Sequence, residues 1–295
     1  MDKNPPASHL ALQKRSKALQ AARSSANSIS HDLNSRQVRV RNSSIWQSPD
    51  VEGAVLPTFP FLIRGSGSSG MPLKLYLLLL WQAGSPGNAN HRRIRANYID
   101  RLDGEYTALL DYKEIADLLM LDDYRRASSS GVRRITSALQ TLRDHRLIEL
   151  HDNARSIRLL SEKRDGSAYT DPGLNSDIAD TNNVYLALPP EFFTCGWFTA
   201  LSPQAVLALL IHGVFWIPKR PEQKPNSFNG EALSKYAPVS KSTMTRGERL
   251  LTHWSVLTKT EMRYSGTKHR SRYLYSLQLD RLKKDCPNEV PPTFR

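Results

Sequence analysis

The sequence predicts a mainly α-helical chain of the α+β class, in which one unit of three helices and a small β-hairpin is built twice. Three observations predict it. First, a pattern recurs at an offset of 132 residues: Leu56-Pro57-Thr58-Phe59-Pro60-Phe61 leads into Met71–Leu78, and Leu188-Pro189-Pro190-Glu191-Phe192-Phe193 leads into Pro203–Leu210, so that Leu75, Leu77 and Leu78 fall on Leu207, Leu209 and Leu210. Second, each copy continues through two more helical patterns into an apolar run, a polar turn and another apolar run. Third, 295 residues with 39% apolar and 23% charged content are globular in character and suffice for about two domains with linkers.

Taken in order, residues 1–52 are rich in Ser, Asn, Gln and Arg, and few large apolar groups back a short helix through Leu10, Leu12, Ala18, Leu19, Ala21 and Ala22. The reading is a disordered basic arm. The first domain spans 53–160. Gly65–Gly70 is a flexible connection, Leu73–Trp81 a helix buried on most sides, and Gly84–Asn88 its end. Residues 91–110 read as an insertion with strand character and a basic cluster at His91–Arg95. A second helix covers 112–119, with Asp111 as N-cap, and a third covers 131–145, started by Ser128-Ser129-Ser130. The apolar positions Val132, Ile135, Leu139 and Leu142 step by three, four and three, which places them on one face. Leu147–Leu150 and Ser156–Leu160 make a hairpin.

Residues 161–183 are polar and acidic and read as a linker. The second domain spans 184–282. Ser202 caps a helix to Phe215, with Pro203 suited to its first position. A short helix at Glu231–Tyr236 is stopped by Pro238. Ser240 or Ser242 caps the third helix, to His253, with Met244, Gly247, Leu251 and Trp254 inward. Val256–Arg263 and Ser271–Leu279 form the second hairpin, and 283–295 is a loose tail.

The net charge is +13, distributed as +5 over residues 1–50, +3 over 51–160, −3 over 161–183 and +8 over 184–295. A basic arm and a basic second unit point to a polyanionic partner, because each Lys or Arg near a phosphate releases condensed counterions. Solubility is the competing explanation of such a balance. The longest apolar run, Leu75–Trp81, is far below the roughly 20 residues that a bilayer span requires, and the first residues lack the apolar stretch of a secretion signal. With two cysteines, Cys195 and Cys286, that have no metal-ligand spacing, the expectation is a cytoplasmic, nucleoid- or plasmid-associated protein, with Cys195 as a small core group and Cys286 as a tail thiol.

Three helices followed by a hairpin suggest the winged helix, a helix-turn-helix variant whose third helix enters the major groove while the hairpin touches phosphates or the minor groove. At about 100° per residue, the face opposite the apolar stripe of the first third helix carries Ser130, Arg133, Arg134, Ser137 and Thr141, with Gln140 at its edge and Arg125 and Arg126 in the preceding turn. The second carries Lys241, Ser242, Thr245, Arg246 and Arg249. Arg reads guanine bidentately, Gln reads adenine, and Ser or Thr bonds phosphate. Neither set contains an acid, although Asp144 and Glu248 lie nearby. The second wing gathers Lys268, His269, Arg270 and Arg272, suited to a narrow, electronegative minor groove; the first offers Arg155 and Arg158 beside Asp152. Strand packing is the commoner explanation of Tyr264, Tyr273 and Tyr275, against stacking on bases.

At these residues the chain resembles tandem winged-helix DNA-binding proteins, particularly bacterial plasmid replication initiators and related regulators. Val184–Phe193, followed by Gly196-Trp197 and Leu201-Ser202, is similar to stretches of uncharacterised actinobacterial plasmid-type DNA-binding proteins. The resemblance covers roughly 55–280 in architecture, and in motif only that stretch. It implies double-stranded DNA as partner, host replication proteins or RNA polymerase as further partners, a homodimer through the first domain, and Arg133, Arg134, Ser137, Lys241, Thr245, Arg246 and Arg249 as base-facing residues. Initiators of this type often have a short rigid link, so the 161–183 segment argues against a fixed orientation of the modules.

The histidines show no metal-ligand spacing, and no Gly-Lys-Ser/Thr phosphate loop is present, so no cofactor is expected. Gly65–Gly70 only superficially matches a dinucleotide fingerprint, because Pro72 and an apolar helix follow it. No carboxylate pair suggests a nuclease. The expectation is a non-enzymatic, sequence-specific DNA-binding protein; the rivals are a transcriptional regulator, an interaction scaffold on degenerate winged helices, and a tyrosine nickase.

Overall fold

The computed structural model describes residues 7–32, 37–46, 56–64, 70–83, 100–102, 105–109, 112–121, 130–151, 156–172, 184–215, 226–227, 236–263 and 271–289. Within these the chain is mainly helical with small antiparallel sheets, as the sequence predicts.

The centre is a pair of apolar helices. Every residue of α4 (Met71–Ala83) is buried, and α9 (Pro203–Phe215) is buried from Ala205 to Gly213. Their bounds differ by the same 132 residues as the sequence pattern. Helices apolar all round belong in an interior, and each fully buried Leu stabilises by about 1.5–3 kcal/mol. The Ser202 hydroxyl accepts from the Ala205 N–H at 3.2 Å, so the expected cap at the start of α9 is in place.

Against α4 lie α3 (Thr58–Arg64) and α6 (Ser130–Asp144). After α6 the hairpin β4 (Ile148–His151) and β5 (Ser156–Leu159) follows. The insertion carries strands: β2 (Asp100–Leu102) pairs with β3 (Glu105–Leu109), and β3 pairs with β5, giving a four-stranded sheet in the order β2-β3-β5-β4. Between insertion and α6 runs α5 (Tyr112–Leu118).

In the second half, α10 (Lys241–His253) packs on α9 more extensively than any other pair of helices among the described residues. The Ser240 hydroxyl accepts from the Thr243 N–H at 3.1 Å and is the N-cap. β8 (Leu257–Arg263) and β9 (Ser271–Leu277) form the second hairpin, extended by the short β7 (Asn226–Ser227) on β9. The short helices α7 (Glu191–Thr194) and α8 (Trp197–Ala200) add aromatic mass: Phe193 stacks on Trp81 of α4 with centroids 4.0 Å apart. The predicted helix at 231–236 lies outside the described residues, apart from Tyr236.

Three expectations fail. The tail, expected to be loose over 283–295 with Cys286 as a tail thiol, is anchored to the core within its described part, 283–289: Cys286 is buried and its N–H donates to the Cys195 carbonyl oxygen at 3.0 Å. The arm, expected to be disordered, contains α1 (Ala7–Asp32), β1 (Val38–Arg41) and α2 (Asn42–Ile45). Leu19, Ala22, Ala26 and Ile29 of α1 are buried, so small side chains supply the close packing that large ones supply elsewhere. The helix lies along α5 of the first half and reaches α7 and α8 of the second. The strand β1 pairs antiparallel with β6 (Tyr185–Leu188), from Val38 opposite Leu188 to Arg41 opposite Tyr185.

The acidic segment is likewise structured over 161–172, where a linker was expected. The Arg41 guanidinium donates to the Glu162 carboxylate and to the carbonyl oxygen and hydroxyl of Thr170, and Arg39 lies 3.5 Å from Asp171. Three of these four charged partners, Arg41, Glu162 and Asp171, are buried. Buried charge persists only when paired and hydrogen-bonded, and here acid and base meet across 121 residues of chain. Burial pushes the Glu162 carboxyl up, and Arg41 opposes that shift.

Consequently the two helix–hairpin units share one hydrophobic core with the arm. At their junction a Cβ built on Gly70 would sit 2.4 Å from Cβ of Pro203, and Gly70 has φ +67°, where glycine is favoured. Lys74 of α4 is buried there, with Nζ 3.4 and 3.3 Å from the carbonyl oxygens of Thr199 and Leu201 and 4.8 Å from the Phe198 ring. Burial brings its pKa down to about 7.

Candidate nucleic-acid interface

In α6, Gly131, Ile135, Ala138, Leu139 and Leu142 are buried, and Val132 is half-buried. The packed stripe sends the predicted polar set outward. Ser130, Arg133, Arg134 and Ser137 are exposed. Gln140 and Thr141 are half-buried and already engaged: the Gln140 amide donates to Asp144 at 2.7 Å, and the Thr141 hydroxyl donates to the Ser137 carbonyl oxygen at 2.9 Å. Asp144 also receives Arg143 at 3.4 Å. The acid nearest this face is thereby occupied from within its own helix. Arg125 and Arg126 lie outside the described residues.

In α10 the same construction holds. Met244, Gly247, Leu250 and Leu251 are buried, with Trp254 buried just beyond, while Lys241, Ser242, Arg246 and Arg249 are exposed and Thr245 is half-buried. The Ser242 hydroxyl lies 3.0 Å from that of the cap Ser240.

The acidic residue of α10 faces inward. Glu248 Oε1 lies 3.1 Å from Nε2 of the buried His212 on α9, and its Oε2 accepts from the Tyr275 hydroxyl of β9 at 3.2 Å. The carboxylate therefore ties helix, neighbouring helix and hairpin together rather than standing among the exposed cations. Burial and the neighbouring Glu248 carboxylate push the Tyr275 hydroxyl well up, so it stays a proton donor. Sequence reasoning missed this trio. Its one sequence signal is Gly247 beside Glu248, a glycine inside a helical pattern where α10 packs against the Gln204 backbone of α9.

Of the second wing, Lys268, His269 and Arg270 lie outside the described residues. Arg272 is placed on β9 opposite Met262. Tyr273 is exposed, with Lys259 Nζ 3.8 Å from its ring centroid, whereas Tyr275 is buried. Of the first wing, Arg158 is bound to Glu149 at 2.9 Å, and Arg155 lies outside the described residues.

Among the described residues no three His, Cys, Asp or Glu side chains gather as metal ligands would, and no helix is long and apolar enough to cross a membrane. Comparison with known proteins adds nothing further: no family model, no curated protein and no solved structure matches the chain.

Proposed function

We propose that this chain is a sequence-specific double-stranded DNA-binding protein made of two winged-helix units, and that its particular role is to initiate plasmid replication by binding repeated sites at an origin. The observation that carries the proposal is the paired arrangement of α6 and α10. Each packs an apolar stripe inward and presents two arginines with hydroxyl groups outward, and each has its nearby acid already bound: Asp144 by Gln140 and Arg143, Glu248 by His212 and Tyr275. An exposed cationic and hydroxylic helix face suits the major groove, where arginine pairs with guanine and hydroxyls meet phosphate. A hairpin after each such helix fits contact with the backbone or minor groove. Two modules also raise affinity through effective concentration, since binding of one confines the search of the other.

The test is selection of bound fragments from a library of genomic and plasmid DNA, followed by titration of the winners. Iterated sites clustered at an origin support initiation. Single operators at promoters assign the chain to transcriptional regulation instead, with RNA polymerase rather than replication proteins as the host partner. Recovery of no preferred sequence overturns the specific-binding reading and favours a protein-interaction scaffold.

A further inference from the structure

The chain has two cysteines, at positions 195 and 286, and the fold brings them together. The Cys286 N–H donates to the Cys195 carbonyl oxygen at 3.0 Å. The bonds on either side of that link hold the two Cα atoms within about 7 Å, and a disulfide usually spans about 4.4–6.8 Å. A Cβ built on Gly196, the residue after Cys195, would sit 3.1 Å from the Cys286 sulfur. The Cys195 thiol lies 3.7 Å from the Lys283 carbonyl oxygen, at the entrance to the same turn. The C-terminal segment is fixed there by the Trp197 indole, which donates to the Lys284 carbonyl oxygen at 2.7 Å, and by Arg23 of α1, which donates to the Cys286 carbonyl oxygen at 3.1 Å. Neither thiol has a role in the proposed DNA interface.

We propose that Cys195 and Cys286 are a modification site that closes to an intramolecular disulfide when a peroxide is present. Cys195 is half-exposed and Cys286 buried, so Cys195 meets the oxidant first. Its sulfur attacks the peroxide O–O bond, which breaks to release an alcohol or water and leaves a sulfenic acid. The Cys286 sulfur then attacks the sulfenic sulfur, its proton leaves with the displaced hydroxyl as water, and the S–S bond forms. The pair gives up two electrons and the peroxide takes them. The Arg23 guanidinium, 3.5 Å from the Cys286 sulfur, favours its thiolate in the second step. Burial works against both thiolates, which makes the reaction slow at neutral pH and faster in alkali. Closing the bond draws the Cys286 sulfur off Arg23, so one contact that holds α1 to the C-terminal segment is given up.

The full-length chain treated with hydrogen peroxide under native conditions tests this by thiol titration, intact mass and non-reducing peptide mapping. The expected result is loss of both thiols together, a mass lower by two hydrogens, a monomeric product with one linked peptide pair, and full reversal by a reducing agent. With Cys286→Ser, Cys195 should instead accumulate a dimedone-trappable sulfenic acid. Amide exchange around Arg23 should quicken several-fold in the oxidised chain; unchanged exchange would remove the coupling to α1. Oxygen adducts on Cys195 with Cys286 still free, or disulfides formed only between chains, would overturn the proposal.

Discussion

Gly247 of α10 lies against the backbone of Gln204 in α9, so close that a methyl group built on it would sit 2.3 Å from the Gln204 carbonyl oxygen. This contact sets how deeply α10 seats on α9, and hence how its outer face is presented. Gly247→Ala forces the helices apart, because the obstructing atom is backbone and cannot rotate away. Helix propensity favours Ala over Gly by about 1 kcal/mol, so an ordinary exposed helical glycine gains stability from this change. Here the expected outcome is the reverse, a loss of about 1–3 kcal/mol as for other overpacked interiors, read by urea denaturation.

Glu248 joins α9, α10 and β9 through one carboxylate. Glu248→Ala leaves His212 and the Tyr275 hydroxyl each with one partner fewer and should cost about 1–3 kcal/mol. Tyr275→Phe removes the hydrogen bond to Glu248, keeps the His212 contact, and should cost about 1 kcal/mol. Equal costs for the two variants would mean that the His212 contact contributes nothing.

Lys74 gives the chain an unusual dependence on pH. Its folded pKa is drawn down to about 7 from an ordinary 10.5. Between these values the unfolded chain holds the extra proton, so stability rises with pH across that window. Below about 7 both states are charged, and the burial cost is present in full. Lys74→Met removes the cost, so the variant should be more stable than the parent at pH 6, with the gap narrowing towards pH 10. Thermal melts across that range check this, and parallel curves would contradict it.

Arg41 is buried beside Glu162. Arg41→Met strands that carboxylate and should cost about 3–5 kcal/mol, as breaking a buried pair does. The change should also loosen β1 from β6, seen as faster amide exchange at Val38 and Val40.

Much of the frame was legible in the sequence because its signals are local. The apolar runs of α4 and α9 repeat at a fixed offset, the three-four-three stripe of α6 needs only Val132, Ile135, Leu139 and Leu142, and Ser202 and Ser240 announce helix starts through their own hydroxyls. The outward arginines followed directly from those stripes. What escaped depends on distant partners. Leu19, Ala22, Ala26 and Ile29 step by three, four and three, the same periodicity as α6, but alanines carry little weight until α5 lies against them. Arg39 and Arg41 read as a basic tail because Asp171 and Glu162 lie far along the chain, in a segment that reads as an acidic linker. Charge of opposite sign in those two segments was the available clue. Glu248 read as a neighbour of the cationic face, and its turn inward depends on His212 of another helix.

The most direct measurement is the affinity of Arg133→Ala, Arg246→Ala and Lys268→Ala chains for a selected duplex and for a scrambled one, at several salt concentrations. Each arginine variant should weaken the selected duplex by about 1–3 kcal/mol and erode discrimination, while the lysine variant should weaken both duplexes alike and flatten the salt slope by about one. Unchanged affinity in all three variants would contradict the account.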